Sequence, residues 1–248
     1  MASPPPPDDD PSPLAGVRAI LYDQFGTLTD WESSVSGQLA AQVERGDQGL
    51  EALDWLDFTR RWRNGYMTRT REIAAGKPGP GNIDDLHLEE RLFPSSSTRS
   101  STSPTWPDTK PGLDALRALD PPVLLATLSN GTLRLLIDIA RHNSLPLDAH
   151  FSGDLLGSYK PNPLMYIRAC ELFGFDAAAR ERGAVALCAS HIDDLRAAAK
   201  EGLRTIYIRR ATEDVGIPHG GDAVRNKRDG GEVDLVIREI GEIAQWVR

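Results

Sequence analysis

Five short apolar runs rich in β-formers limit what this chain can fold into: 17–22 (VRAILY), 122–129 (PVLLATLS), 184–189 (AVALCA), 204–208 (RTIYI) and 234–237 (DLVI). Runs of this length and character read as buried strands. Helix-prone stretches at 132–142, 163–173, 194–200 and 239–247 alternate with them from about residue 121 onward. That alternation predicts βα units, a mostly parallel Rossmann-like α/β sheet, and helices on both of its faces.

One segment breaks the alternation. Residues 31–106 are helix-prone at 35–44 and 55–75, then turn Gly/Pro-rich and Ser/Thr-rich, as expected of a helical cap inserted into the core. Within it, 95–103 (SSSTRSSTS) offers no apolar residue to pack and reads as a mobile linker. The organisation expected is therefore a disordered Pro-rich tail at 1–14, a core made of 15–30 and 107–248, and the cap at 31–106. Residues 209–231 hold glycines and charges without a period and read as an exposed loop.

A chain of 248 residues, 40% hydrophobic, can bury a substantial core. Its formal charge of −8 argues against sequence-independent nucleic-acid binding, which needs a basic surface. Its apolar runs are far shorter than the roughly 20 residues of a spanning helix, so no membrane partner is expected. The N-terminal residues lack the basic and apolar regions of a secretory signal. Cys170 and Cys188 each sit in an apolar segment, which fits free thiols in a reducing compartment and a cytoplasmic location.

Ligand sites on open α/β sheets gather at the carboxyl ends of the strands, and the polar residues of this chain sort there. Asp23 ends the first strand, Ser129 and Asn130 end the second, and Asp194 follows the third, while Lys160 lies in a Pro-flanked loop, SYKPNP. Two carboxylates, a hydroxyl and an ammonium at separate strand ends suit nucleophilic catalysis at an electrophilic carbon or phosphorus.

Four segments carry a resemblance: D-x-F-G-T at 23–27, S-N-G at 129–131, K-P at 160–161 and H-x-x-D-L-R-A-A at 191–198. In this order and spacing they resemble the haloacid dehalogenase superfamily, and within it the type II 2-haloacid dehalogenases. The resemblance implies that the Asp23 carboxylate displaces halide from C2 of a short 2-haloacid, and that water then cleaves the ester to a 2-hydroxy acid. It also implies a homodimer through the cap helices. Magnesium-dependent phosphatases of the superfamily carry an acid two residues after the nucleophile, where this chain has Phe25, and another where it has Ser190. A halide leaves without a proton, so the loss suits dehalogenation and damages phosphate ester hydrolysis. The expectation is an enzyme without metal or other cofactor, acting on a small carboxylic acid.

By its place in the motif Lys160 balances the Asp23 carboxylate and the substrate anion; Asp194, which could also serve as N-cap acid of the helix from Leu195, holds Lys160 and orients the hydrolytic water; and Thr27 either packs or caps the following turn or holds the Asp23 carboxylate through its hydroxyl. Ser129 and Asn130 would bind the substrate carboxylate at the N-terminus of a helix starting near Gly131. Arg63 corresponds to the arginine expected to receive the halide, and Tyr166 to a tyrosine near the substrate, although a core-packed aromatic is an equal reading. His191 stands where many members have asparagine. It could position or deprotonate water, though an incidental loop histidine is the plainer reading. Ala189 and Asp193 depart from the type II pattern, and an extra carboxylate at Asp193 would repel an acid unless it points outward or pairs with an arginine. Two competing readings are a small-metabolite phosphatase and a catalytically weak binding protein on the same scaffold.

Overall fold

The computed structural model describes residues 12–43, 54–89 and 103–247. Strand β1 (Ala19–Tyr22) is buried at every position. Its side chains alternate between two cores, Ala19 and Leu21 facing one, Ile20 and Tyr22 the other. A strand covered on both faces has no room for a polar face, which is why the run is apolar throughout.

Around β1 the chain builds α1 (Trp31–Val43), α2 (Trp55–Ala74), α3 (Ile83–Glu89), α4 (Thr109–Arg117), β2 (Leu124–Ser129), α5 (Leu133–His142), β3 (Ala149–Ser152), α6 (Gly153–Leu156), α7 (Pro163–Leu172), α8 (Ala177–Glu181), β4 (Val185–Ala189), α9 (Ile192–Lys200), β5 (Arg204–Ile208) and β6 (Leu235–Ile237). The strands form one six-stranded sheet in the order β3-β2-β1-β4-β5-β6, and every pairing is parallel. Buried residues of α7 and α9, such as Met165, Tyr166, Ile192 and Leu195, join one core. Leu113 and Leu116 of α4, with Ile240, Ile243 and Trp246, join the other. The expected parallel sheet with helices on both faces is thus present. From β1 the chain winds first toward β2 and β3 and later toward β4, β5 and β6, so the direction changes at the β1/β4 boundary. Parallel α/β sheets open their ligand crevice at that place, outside the strands' carboxyl ends.

Several details differ from expectation. β3 was not expected: it is four residues long, contains His150 and Ser152, and pairs with β2 alone. Helices α3, α4, α6 and α8 were likewise not foreseen, and the expected helix at 239–247 is a 3-10 turn over Ile240–Gln245. Residues 12–14, placed in a disordered tail, are packed: Leu14 is fully buried, and the Ser12 hydroxyl donates to the Trp246 carbonyl. The rest of that tail lies outside the described residues, as does the linker at 95–103 apart from Ser103. The loop at 209–231 is not simply exposed, since Glu213 and Val224 are buried.

The stretch expected as a cap holds α1, α2 and α3. α1 buries Trp31, Val35 and Leu39, spaced four apart on one face. Arg60 on α2 reaches back to Glu32 on α1 at 2.8 Å, and α2 is capped by Asp54, whose side chain accepts from the Leu56 and Asp57 N–H groups.

Candidate active site

Asp23 follows β1 directly. Its N–H donates to the Cys188 carbonyl at 3.0 Å, extending the β1–β4 ladder by one residue. The chain then turns sharply through Gly26, whose φ of 90° is a conformation glycine adopts without a Cβ clash. This turn returns the Thr27 hydroxyl to the Asp23 carboxylate, where it donates to Oδ2 at 3.1 Å. Thr27 Oγ1 in turn accepts from the Ser190 N–H at 2.9 Å, which aims its own proton at Asp23.

The other carboxylate oxygen, Oδ1, accepts from Lys160 Nζ at 2.7 Å. The same ammonium donates to Asp194 Oδ2 at 2.5 Å, and Asp194 Oδ1 accepts from the Tyr166 hydroxyl at 2.6 Å. Asn130 fixes the lysine's backbone, its Oδ1 accepting from the Lys160 N–H at 2.7 Å. Lys160 is therefore a buried cation between two buried anions. Burial alone would push the Asp23 pKa up, but the Lys160 charge and the His191 hydrogen bond outweigh it and hold the carboxyl well below its ordinary range. Burial likewise disfavours the charged lysine, and Asp194 and Asp23 overcome it, so its pKa is raised. Asp23 is thus an ionised, oriented carboxylate at neutral pH.

A second arm meets Asp23 from the opposite side. His191 Nδ1 lies 3.1 Å from Asp23 Oδ2, and its Nε2 lies 2.7 Å from Glu213 Oε2. Burial lowers the affinity of this imidazole for a proton, but the hydrogen bonds to Asp23 and Glu213 prevail and lift its pKa to about 9. The Glu213 carboxyl, which burial alone would raise, is brought down to about 2 by His191 and Arg63. Trp31 Nε1 donates to Glu213 Oε1 at 2.7 Å, and Arg63 Nη2 stands 3.6 Å from Oε2. Arg63 also donates to the Phe25 carbonyl at 3.3 Å, and its guanidinium lies 4.1 Å above the Trp31 ring.

Above these groups is a cavity with about 680 Å³ of empty space, its open mouth included. Asp23, Lys160, Asp194, Ser129 and Asn130 line it on the core side, with Phe25, Arg63, Tyr66 and Met67 also on its wall. Arg71 and Asp193 are on its wall too, 3.7 Å apart and each about half exposed. Asp193 also accepts from Arg196 at 3.0 Å, so the extra carboxylate is paired with arginines.

The structure thus brings Asp23, Phe25, Arg63, Ser129, Asn130, Lys160, His191 and Asp194 to one cavity, with Thr27 directly behind Asp23. Tyr166 is not on the cavity wall. Its ring is fully buried in the core and only its hydroxyl reaches the site, through Asp194. Ser129 and Asn130 do not cap the next helix: α5 begins at Leu133 after Thr132, and the Ser129 hydroxyl instead accepts from the Gly131 N–H at 3.1 Å. His191, read as an incidental loop residue, is in contact with the Asp23 carboxylate. Sequence reasoning missed Glu213 and the part played by Trp31. Glu213 lies five residues beyond the end of β5, so the strand-end rule applied to that run points to its neighbourhood but not to Glu213 over Arg209, Arg210 or Asp214.

Residues 17–202 match the family model of haloacid dehalogenase-like hydrolases. An (S)-2-haloacid dehalogenase of Burkholderia cepacia is 27% identical over 205 residues, 78% of this chain and 84% of that protein. Among solved structures, an L-2-haloacid dehalogenase superposes with a TM-score of 0.72 at 33% identity, covering 93% of this chain and 98% of the other. A defluorinating L-2-haloacid dehalogenase gives 0.76 at 30% identity, with 95% and 97% covered.

Proposed function

The chain belongs to the haloacid dehalogenase-like hydrolase family, and from that premise we propose that it converts short 2-haloacids into 2-hydroxy acids and halide through an ester on Asp23. The likeness to 2-haloacid dehalogenases supports a hydrolase of carbon–halide bonds. The observation that carries the reading is the pairing of an ionised, buried carboxylate with Phe25, an apolar residue where phosphate transfer needs an acid.

The carboxylate of Asp23 attacks C2 of the acid in line with the carbon–halogen bond, and halide departs as a stable anion. Lys160 keeps the nucleophile charged and oriented, and Asp194, itself held by Tyr166, keeps Lys160 in place. The substrate carboxylate lies toward Ser129, Asn130 and Lys160, while Arg63 faces the departing halide. Water then adds to the carbonyl carbon of the ester and releases the hydroxy acid. The donor set does not suit magnesium, because one oxygen of Asp194 accepts from Tyr166 and the other from Lys160, and no carboxylate stands at Phe25 or Ser190.

The test is halide release from racemic 2-chloropropionate and from chloroacetate, with chelator present, beside an Asp23→Asn control. Release by the wild type that the control abolishes is the expected result. No release from either acid, with magnesium-dependent phosphate release from a generic ester, would make the protein a phosphatase.

A further inference from the structure

Glu213 has no role in the alkylation just described, yet its carboxylate is buried beside the nucleophile's own partner. Three hydrogen bonds and an ion pair converge on it: Trp31 and Thr212 donate to Oε1, His191 meets Oε2, and Arg63 stands 3.6 Å from Oε2. We propose that Glu213 is a positioning residue for the second half-reaction, holding His191 by its Nε2–H so that, once Asp23 has become an ester, Nδ1 is free to take a proton from the hydrolytic water. This rests on the dehalogenase reading and adds to it the base and the group that orients the base.

The geometry places His191 between two carboxylates, one of which the reaction consumes. In the free enzyme Nδ1 lies 3.1 Å from Asp23 Oδ2 and Nε2 lies 2.7 Å from Glu213 Oε2, with Arg63 Nη2 also 3.2 Å from Nε2; a carboxylate at each nitrogen calls for an N–H on both, which makes the ring an imidazolium. The charged groups facing it are Asp23 after β1, Glu213 and Asp214 from the loop after β5, and Arg63 from α2, with Lys160 beyond Asp23. Alkylation turns Asp23 into a neutral ester while Arg63 and Lys160 keep their positive charges. The imidazolium then loses the partner on Nδ1 and gives that proton to solvent as halide leaves.

The neutral ring keeps Nε2–H on Glu213 and presents the Nδ1 lone pair beside the ester carbon. Water adds to that carbon as its proton passes to Nδ1. The bond from carbon to the hydroxy acid's oxygen breaks, and that oxygen takes the proton from Nδ1. Asp23, left as a carboxylic acid, returns its proton to Nδ1 and restores the starting pair. One water is consumed and one proton and one halide are released per turnover.

The Trp31 contact makes this testable with a near-isosteric change. In Glu213→Gln the indole N–H keeps the amide oxygen at the Oε1 position, so the amide NH₂ faces His191. Nε2 must then accept rather than donate, which leaves the proton on Nδ1 and removes the base, as an aspartate-to-asparagine change does in a serine protease triad. The measurement is rapid-quench halide release together with the mass of the quenched protein. The variant is expected to release about one halide per chain at a rate within a few-fold of wild type, then to accumulate the Asp23 ester with hydrolysis slowed roughly 10³-fold. A loss of packing alone would slow both halves. Turnover without accumulated ester would overturn the inference and leave dehalogenation intact. A wild type that releases no halide from any 2-haloacid would overturn the dehalogenase reading and this step with it. Should the variant not fold, nitrogen-15 NMR of the wild type decides: His191 is expected doubly protonated near pH 8, and a neutral ring there refutes the proposal.

Discussion

The His191 contacts fix how the protein's stability should respond to alkali. The imidazole has a pKa of about 9 in the folded protein and 6.5 as its ordinary value. A group whose folded pKa is raised stabilises fully below the unfolded value and loses that contribution as pH rises through the folded one. The contribution is therefore roughly 3 kcal/mol below about pH 6, falls to about 1 kcal/mol near pH 8 and is close to nothing by about pH 10. Its side chain is only 19% exposed, so solvent screening removes little of this. Other groups also titrate in alkali. Burial pushes the Cys170 thiol up to about 12, and its ionisation in the unfolded chain weakens the fold above its ordinary range. Those effects are common to wild type and variant, so the useful quantity is the difference between wild type and His191→Asn. Urea unfolding across about pH 6 to 10 should give a wild-type advantage that shrinks by roughly 3 kcal/mol over that range. Asp23 and Glu213 stay ionised throughout it, so they do not contribute. Parallel stability profiles for the two proteins would show that the imidazole is not held as a cation, and the reasoning about its partners would fail.

Replacing Lys160 by Met leaves two buried carboxylates without their shared cation, at a cost of about 3–5 kcal/mol by urea unfolding. It also moves the acid limb of the halide-release pH profile upward, because Asp23 then resists ionisation. Gly26→Ala forces a side chain into a φ of 90° and against the Glu213 carboxylate, and should lower stability by about 1–3 kcal/mol while slowing ester hydrolysis. Arg71→Ala breaks only a half-exposed pair with Asp193. Unfolding should shift by less than about 1 kcal/mol, and steady-state kinetics should show a raised KM with kcat unchanged.

The core strands were legible in the sequence because β1, β4 and β5 bury nearly every side chain and so leave unbroken apolar runs. β3 was not, because an edge strand with one neighbour carries His150 and Ser152 without penalty. The 3-10 turn at Ile240–Gln245 looks helical by its isoleucines, but Gly241 lies against Gly112 of α4, and a glycine in the first turn gives an α-helix little support. In the site, Asp23, Lys160 and Asp194 stood out because each ends a strand or sits in a short motif. Glu213 did not, since its partners Trp31 and His191 are 182 and 22 residues away, and a hydrogen bond across such distances leaves no periodicity. His191 was undervalued for a related reason: its meaning depends on Glu213.

Trp31 and Arg63 reach Glu213 from the inserted helices, whereas Glu213 and His191 come from the sheet's own loops. A segment inserted between two strands is a natural unit of exchange during evolution or in a designed chimera. Here such an exchange would carry off two of the groups that steady Glu213 while leaving the carboxylate behind. On the proposed mechanism the hydrolytic step therefore depends on the inserted segment, and a transplanted one should function only if it brings an indole donor and a guanidinium to the same two places.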